Sequence, residues 1–244
     1  MNTYVVGDIH GAYLALEELL QTISLKASDS LIFLGDYVDG WSQSPEVIDA
    51  LISLKSQYNC IFIRGNHDDL FLNYLKTGRF SQEWIIHGGQ STLDAYRNIS
   101  LDKLNHHIAF LESLQPYYVD ASNRLFLHAG FTNQKGIAFE YFPEMFFWDR
   151  TLWETAVATD ASIPIEHAYY PMRLKIYSKI FIGHTPTTSL GSTMPLHFHN
   201  VWNLDTGAAF KGPLTIMEVE TERIWQSTPV YKLYPNENGR NKYL

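Results

Sequence analysis

The side chains able to do chemistry in this sequence fall into five short clusters. They are Gly7-Asp8-Ile9-His10-Gly11, Gly35-Asp36-Tyr37-Val38-Asp39, Arg64-Gly65-Asn66-His67-Asp68, His128-Ala129-Gly130 and Gly183-His184-Thr185. Carboxylate, imidazole and amide carbonyl are borderline-to-hard ligands that suit Mn, Fe or Zn, with Mg a poorer match to the histidines. Asp8 and His10 stand two apart, so an extended chain would aim both the same way. Three His, two Asp and one Asn suffice for two divalent ions if one Asp bridges, and such a pair can lower the pKa of a shared water and clamp both oxygens of an in-line displacement. Spacing alone supports a metal cluster with an adjacent acid and no finer division of roles. With average residue usage, G-D-x-H-G arises by chance in roughly one chain of this length in a thousand, and G-N-H-[D/E] about as rarely, so their co-occurrence argues against coincidence.

The elements that must position these clusters are short apolar strands. Thr3–Gly7, Leu31–Leu34, Cys60–Ile63, Leu125–Leu127 and Ile180–Ile182 each run directly into one cluster. Amphipathic helices are predicted between the first three: about 12–23, with Leu16, Leu19, Leu20 and Ile23 on one stripe, and a second opened by Ser44 as N-cap with Pro45 at N1, carrying Val47, Leu51 and Leu54 inward. This alternation is the signature of a parallel sheet with crossover helices, whose strands deliver their carboxyl ends to one ligand-binding edge. Residues 70–114 read as helical, with Leu101, Leu104, Ile108 and Leu111 as the clearest stripe. Further strands are predicted around 201–204, 214–219 and 224–230; they lack intervening helices, which suggests antiparallel pairing. The aromatic stretch 130–178 has no clean period, and the polar tail after Pro235 reads as frayed.

The 244 residues fit one domain, 1–244, able to bury a single large core. The formal charge of −8 argues against a nucleic-acid partner. No apolar run approaches the ~20 residues of a membrane span, and Asp8 and His10 interrupt any leader-like start, so no membrane partner and a cytoplasmic location are expected. The lone cysteine, Cys60, excludes an internal disulfide and a Cys-rich zinc or iron–sulfur site, and in an apolar strand it should be inert.

The ordered motifs resemble the calcineurin-like, phosphoprotein-phosphatase-type metallophosphoesterases, closest to small bacterial and phage serine/threonine phosphatases, with diadenosine tetraphosphate hydrolases as relatives. Trp84 with Gly88-Gly89, Trp148 with Arg150, and Asp205-Thr206-Gly207 extend the resemblance over nearly the whole chain. It implies an α/β fold: a sandwich of two mixed β-sheets flanked by helices. It also implies two divalent ions, with Mn2+ favoured. Asp8 and His10 would bind the first, Asn66, His128 and His184 the second, and Asp36 would bridge. His67 would protonate the leaving oxygen, held by Asp39, since a neighbouring carboxylate favours the imidazolium that a general acid needs. Arg64 and Arg150 would bind phosphate oxygens. The implied reaction is hydrolysis of phosphoserine, phosphothreonine or small phosphomonoesters by in-line attack of a metal-bridging hydroxide.

One departure bears on substrate. The family pattern G-D-Y-V-D-R-G carries a phosphate-contacting Arg where this chain has Gly40, followed by Trp41. That weakens protein phosphatase more than phosphoesterase, and Trp41 would offer a stacking face for a ring. The alternative is therefore a dinucleoside polyphosphate or other nucleotide as substrate. A nuclease-like reading is disfavoured by Pro186, where such relatives carry a second His, and by the acidic charge; a non-catalytic phosphate-binding scaffold is disfavoured because no ligand is lost. His87 reads as a capping or surface residue, His197 and His199 as a strand pair with structural roles, His106 and His107 as solvated on a helix, and Tyr141, Phe142, Phe146, Phe147 and Trp148 as core.

Overall fold

The structure is a computed structural model that describes residues 2–241. Its strands are β1 (Thr3–Val6), β2 (Ser30–Phe33), β3 (Asn59–Phe62), β4 (Tyr117–Val119), β5 (Arg124–Leu127), β6 (Lys179–Ile182), β7 (Leu196–Phe198), β8 (Val201–Asn203), β9 (Thr215–Glu218) and β10 (Arg223–Gln226). They form two mixed sheets of order β10-β9-β1-β2-β3 and β4-β5-β6-β8-β7. In each, three parallel strands are flanked by antiparallel ones: β1, β2 and β3 by β9 and β10, and β5, β6 and β8 by β4 and β7. The helices before the second sheet are α1 (Tyr13–Thr22), α2 (Ser44–Lys55), α3 (Asn66–Thr77), α4 (Gln82–Trp84), α5 (Gln90–Tyr96) and α6 (Leu101–Glu112); α7 (Met145–Trp148) and α8 (Thr151–Ala158) follow β5.

The layers follow from the two-residue period of a strand. In β1 and β2, Tyr4, Val6, Leu31 and Phe33 face the helical layer, where Leu16 and Leu19 of α1 and Val47, Ile48 and Leu51 of α2 cover them. Val5 and Ile32 point the other way and meet Phe126 of β5 and Phe181 of β6 in a core between the sheets. Leu125, Leu127, Ile180 and Ile182 face outward again, under Leu152, Trp153 and Ala156 of α8. Both faces of the central strands are therefore buried, which explains why they read as continuous apolar runs.

Several expectations need correction. β8, expected to pair antiparallel, does so with β7 but runs parallel to β6 on its other side. Ser44 is the first residue of α2, not its cap; its hydroxyl meets Thr92 Oγ1 at 3.2 Å instead. On α6 the buried face is His107, Phe110 and Leu111, while Leu101 is 72% exposed. His107 is not solvated: Nδ1 meets the Tyr96 hydroxyl at 2.7 Å and Nε2 meets Asp49 Oδ1 at 3.0 Å. His106 stays exposed. Residues 236–241 are held rather than frayed: Arg240 N donates to Ala209 O at 2.9 Å and Glu237 accepts from Ser42; 242–244 lie outside the described residues. No helix among the described residues is long and apolar enough to cross a membrane.

Candidate metal centre

The carboxyl ends of β1, β2, β3, β5 and β6 converge on the seam between the sheets. One sheet delivers Asp8, His10, Asp36 and the first turn of α3 with Asn66 and His67; the other delivers His128 and His184. His10, Asp36, Asp39 and His184 all adopt positive φ, between +53° and +70°. Such conformations disfavour residues with a Cβ and concentrate at functional sites. A web of backbone bonds holds them. His10 N donates to Asp36 O at 2.8 Å, and the Asp68 carboxylate accepts from Asp36 N, Tyr37 N and Gly65 N at 2.8–2.9 Å. The approach is close enough to require glycine: a Cβ at Gly183 would overlap Asp8 Oδ1, and one at Gly65 would overlap Asp36.

The ligand atoms meet on shared points. Asp36 Oδ2 lies 3.5 Å from His10 Nε2 and 3.4 Å from His128 Nε2, and Asp8 Oδ2 lies 3.9 Å from His10 Nε2. Asn66 Oδ1 lies 3.0 Å from both His128 Nε2 and His184 Nδ1. Backbone carbonyls take the remote nitrogens: His128 Nδ1 is 2.8 Å from Leu34 O, and His10 Nδ1 is 3.0 Å from Asp39 O, so Nε2 of each ring is turned inward. Asp8 Oδ1 and His184 Nε2 are buried with no hydrogen-bond partner among the described residues. Two groups of candidate ligands result, His10–Asp36–His67 and Asp8–Asp36–His128, with Asp36 in both. Unpartnered buried donor atoms, a shared carboxylate and a mixed N/O donor set fit a pair of divalent cations.

The charges point the same way. Burial, then the carboxylates of Asp205 and Asp36, pushes Asp8 well above the usual value. Burial also acts on Asp36, but the imidazoles of His128, His67 and His10 outweigh it and hold that carboxyl well below its usual range. Burial opposes protonation of His128, yet Asp36 and Asp8 raise it to about 10. Burial, reinforced by neighbouring imidazoles, holds His10 and His184 well below the ordinary value. Asp205, given no role from sequence, is a further buried carboxylate pushed up to about 6 by burial and then by Asp36. This crowd of buried carboxylates and imidazoles is one that cations would relieve.

Beside the centre, His67 Nδ1 donates to Asp39 Oδ2 at 2.7 Å. Trp84 Nε1 donates to the same oxygen at 2.5 Å, and the Thr92 hydroxyl to Oδ1 at 2.7 Å. Thr92 was not singled out by sequence, since a Thr in a helix carries no distinguishing signal. His67 opens onto a cavity of about 330 Å³ whose wall includes Asn66, Trp84, Trp148, Arg150 and Arg240. Trp148 is 43% exposed and stands edge-on to His184, 6.3 Å between ring centres, so it is a wall and not core; Tyr141 and Phe142 are exposed too. His87 forms part of the same wall. Arg64 is outside that wall and pairs with Asp69 at 3.3 Å.

Trp41 offers no stacking face. It is fully buried, stacked on Tyr234 at 5.1 Å, with Nε1 donating to Ala208 O at 2.8 Å. His197 stacks on Trp202, and His199 bonds Tyr170 and Thr159, so both serve structure.

The family described as calcineurin-like phosphoesterase matches residues 1–206. A symmetrical bis(5'-nucleosyl)-tetraphosphatase of Coxiella burnetii is 31% identical over 137 residues, 56% of this chain; the chain thus matches 44% of that relative's length. An asymmetrical bis(5'-nucleosyl)-tetraphosphatase, PrpE, of Anoxybacillus flavithermus is 25% identical over 249 residues, covering 92% of this chain and 94% of its own. A solved structure described as a candidate diadenosine tetraphosphatase superposes with a TM-score of 0.63 at 22% identity, covering 92% of each chain, a likeness of fold.

Proposed function

Because the chain belongs to the calcineurin-like phosphoesterase family, whose members are metal-dependent hydrolases, we propose that it cleaves the phosphoanhydride chain of dinucleoside tetraphosphates or kindred nucleotides. The observation that carries this reading is the cavity beside His67, where the exposed Trp148 stands with the guanidinium groups of Arg150 and Arg240. An aromatic face can take a nucleobase and two guanidinium groups can take a polyphosphate. The relatives named as tetraphosphatases support the same choice. It reverses the order suggested by the motifs alone, which put phosphomonoesters first.

Asp8, His10, Asp36, Asn66, His128 and His184 would hold two divalent ions, which when bound supply Lewis acidity toward water and phosphate oxygens. Asp36 is the bridging candidate because it belongs to both ligand groups. His67 donates a proton to the departing oxygen while Asp39, through Nδ1, fixes the ring. Arg150 orients the phosphate. Phosphomonoester hydrolysis is the second reading, favoured by the same proton donor, since an alkoxide leaves only when protonated.

A substrate panel on enzyme reconstituted with Mn2+, Zn2+ or Fe2+ tests both. Diadenosine tetraphosphate should be turned over with kcat/KM at least about tenfold above a phosphopeptide. The opposite order selects the second reading, and no turnover of either with any ion refutes both.

A further inference from the structure

Among the described residues, the Arg240 guanidinium has no hydrogen-bond or carboxylate partner. Its Nε is buried and unbonded among the described residues. No described carboxylate pairs with it, as none does with Arg150 in the same wall. The ring of Phe210 supports the guanidinium carbon at 5.2 Å. The other side is the cavity wall it shares with Asn66, His67 and Arg150. A fixed positive charge that is partly desolvated and unpaired is unfavourable until an anion reaches it.

The placement depends on Gly40 and Trp41. Gly40, at φ +112°, has no side chain, and a Cβ there would lie 3.2 Å from His10 O and 3.7 Å from Arg240 Cγ. The stem of Arg240 thus passes the point from which a side chain at residue 40 would start. Trp41 holds the segment there by stacking on Tyr234 and donating to Ala208 O. Ser42 donates to Glu237, its N at 3.0 Å and its Oγ at 2.6 Å, and Arg240 N donates to Ala209 O. The C-terminal segment is thereby clasped to the loop that carries Asp36 and Asp39.

We infer that Arg240 binds a phosphate oxygen of the substrate alongside Arg150, the C-terminal segment carrying its guanidinium past Gly40 to the cavity wall. The inference rests on the phosphoesterase reading of the same site. It is tested with Arg240→Ala and Arg240→Lys, using para-nitrophenyl phosphate for turnover and orthophosphate for calorimetric binding. Arg240→Ala should lose about 10- to 100-fold in kcat/KM, the scale of a charge-assisted hydrogen bond, with a parallel weakening of orthophosphate binding. Arg240→Lys should fall between, because a point charge replaces the planar fork. Guanidinium ion in the buffer should restore activity to Arg240→Ala and leave the wild type unimproved. If Arg240→Ala keeps its orthophosphate affinity and kcat/KM while its Tm falls, Arg240 is only a strut and the inference is overturned. A wild type inactive on every phosphate compound would instead sink the parent reading, and the calorimetric comparison would still decide Arg240.

Discussion

His67 belongs to two descriptions at once. It is bonded through Nδ1 to Asp39, as a proton donor should be, yet it also lies in the His10–Asp36–His67 group that could hold an ion. The two roles differ in what a leaving group needs. As a proton donor, His67 matters most when the departing oxygen is strongly basic. His67→Asn should then lose about 10²- to 10⁴-fold on alkyl phosphates and much less on para-nitrophenyl phosphate, whose phenolate departs unaided. A series of phenyl phosphates should give a steeper dependence of kcat/KM on leaving-group pKa in the variant, with metal content by elemental analysis unchanged. A uniform loss along the series accompanied by loss of metal would make His67 a ligand. Trp84 and Thr92 share the Asp39 carboxylate, so substituting either should disturb the ring of His67 without touching the candidate ligands.

At the scale of elements, His107 ties α6 to α2 and α5. Asp49 accepts only, so Nε2 carries the proton and Nδ1 accepts from the Tyr96 hydroxyl. His107→Leu strands that hydroxyl and should lower stability by about 1–3 kcal/mol, read from urea midpoints, with kcat unchanged. Burial lowers the His107 pKa, against the opposing pull of Asp49. A depressed folded value means its contribution is present above the unfolded value of about 6.5 and is lost as pH falls through the folded one. The stability gap between wild type and variant should therefore narrow in acid; a gap that widens would contradict the neutral assignment. His107 also marks the limit of reading elements from sequence. β1, β2, β3, β5 and β6 were legible because each, after a polar first residue, ends in an apolar run whose last two residues are buried on both faces. β4, a three-residue edge strand of intermediate exposure, was not, and β7 showed only in the alternation of His197 and His199. A buried histidine satisfied by partners 11 and 58 residues away has no local signature. The same reason hid Arg240 and the packing of Trp41, which depend on where the C-terminal segment returns.

At the scale of the molecule, the centre joins two sheets whose facing sides pack Val5 and Ile32 against Phe126 and Phe181 and are bridged at the far end by Arg124 with Glu220 and Lys179 with Glu222. Asp8, Asp36 and Asn66 come from one sheet's loops, and His128 and His184 from the other's. Without cations the seam carries a buried Asp8 that resists ionisation and a charged His128 beside Asp36. Ions held by ligands from both sides would cross-link the sheets, and a ligand set assembled only in the folded chain stabilises it by mass action. At a free Mn2+ concentration 100 times the dissociation constant, the gain is about 2.7 kcal/mol for each ion bound, or roughly 5–10 °C in Tm per ion for a chain of this size. Chelated protein titrated with Mn2+ should show that rise, and Asp36→Asn, which removes charge from the residue common to both ligand groups, should show little of it. Amide exchange should slow together in 8–11, 35–40, 128–130 and 183–185, segments drawn from both sheets. Slowing confined to the first two would mean that the ions bind one sheet alone, and that His128 and His184 face the cavity without closing the site.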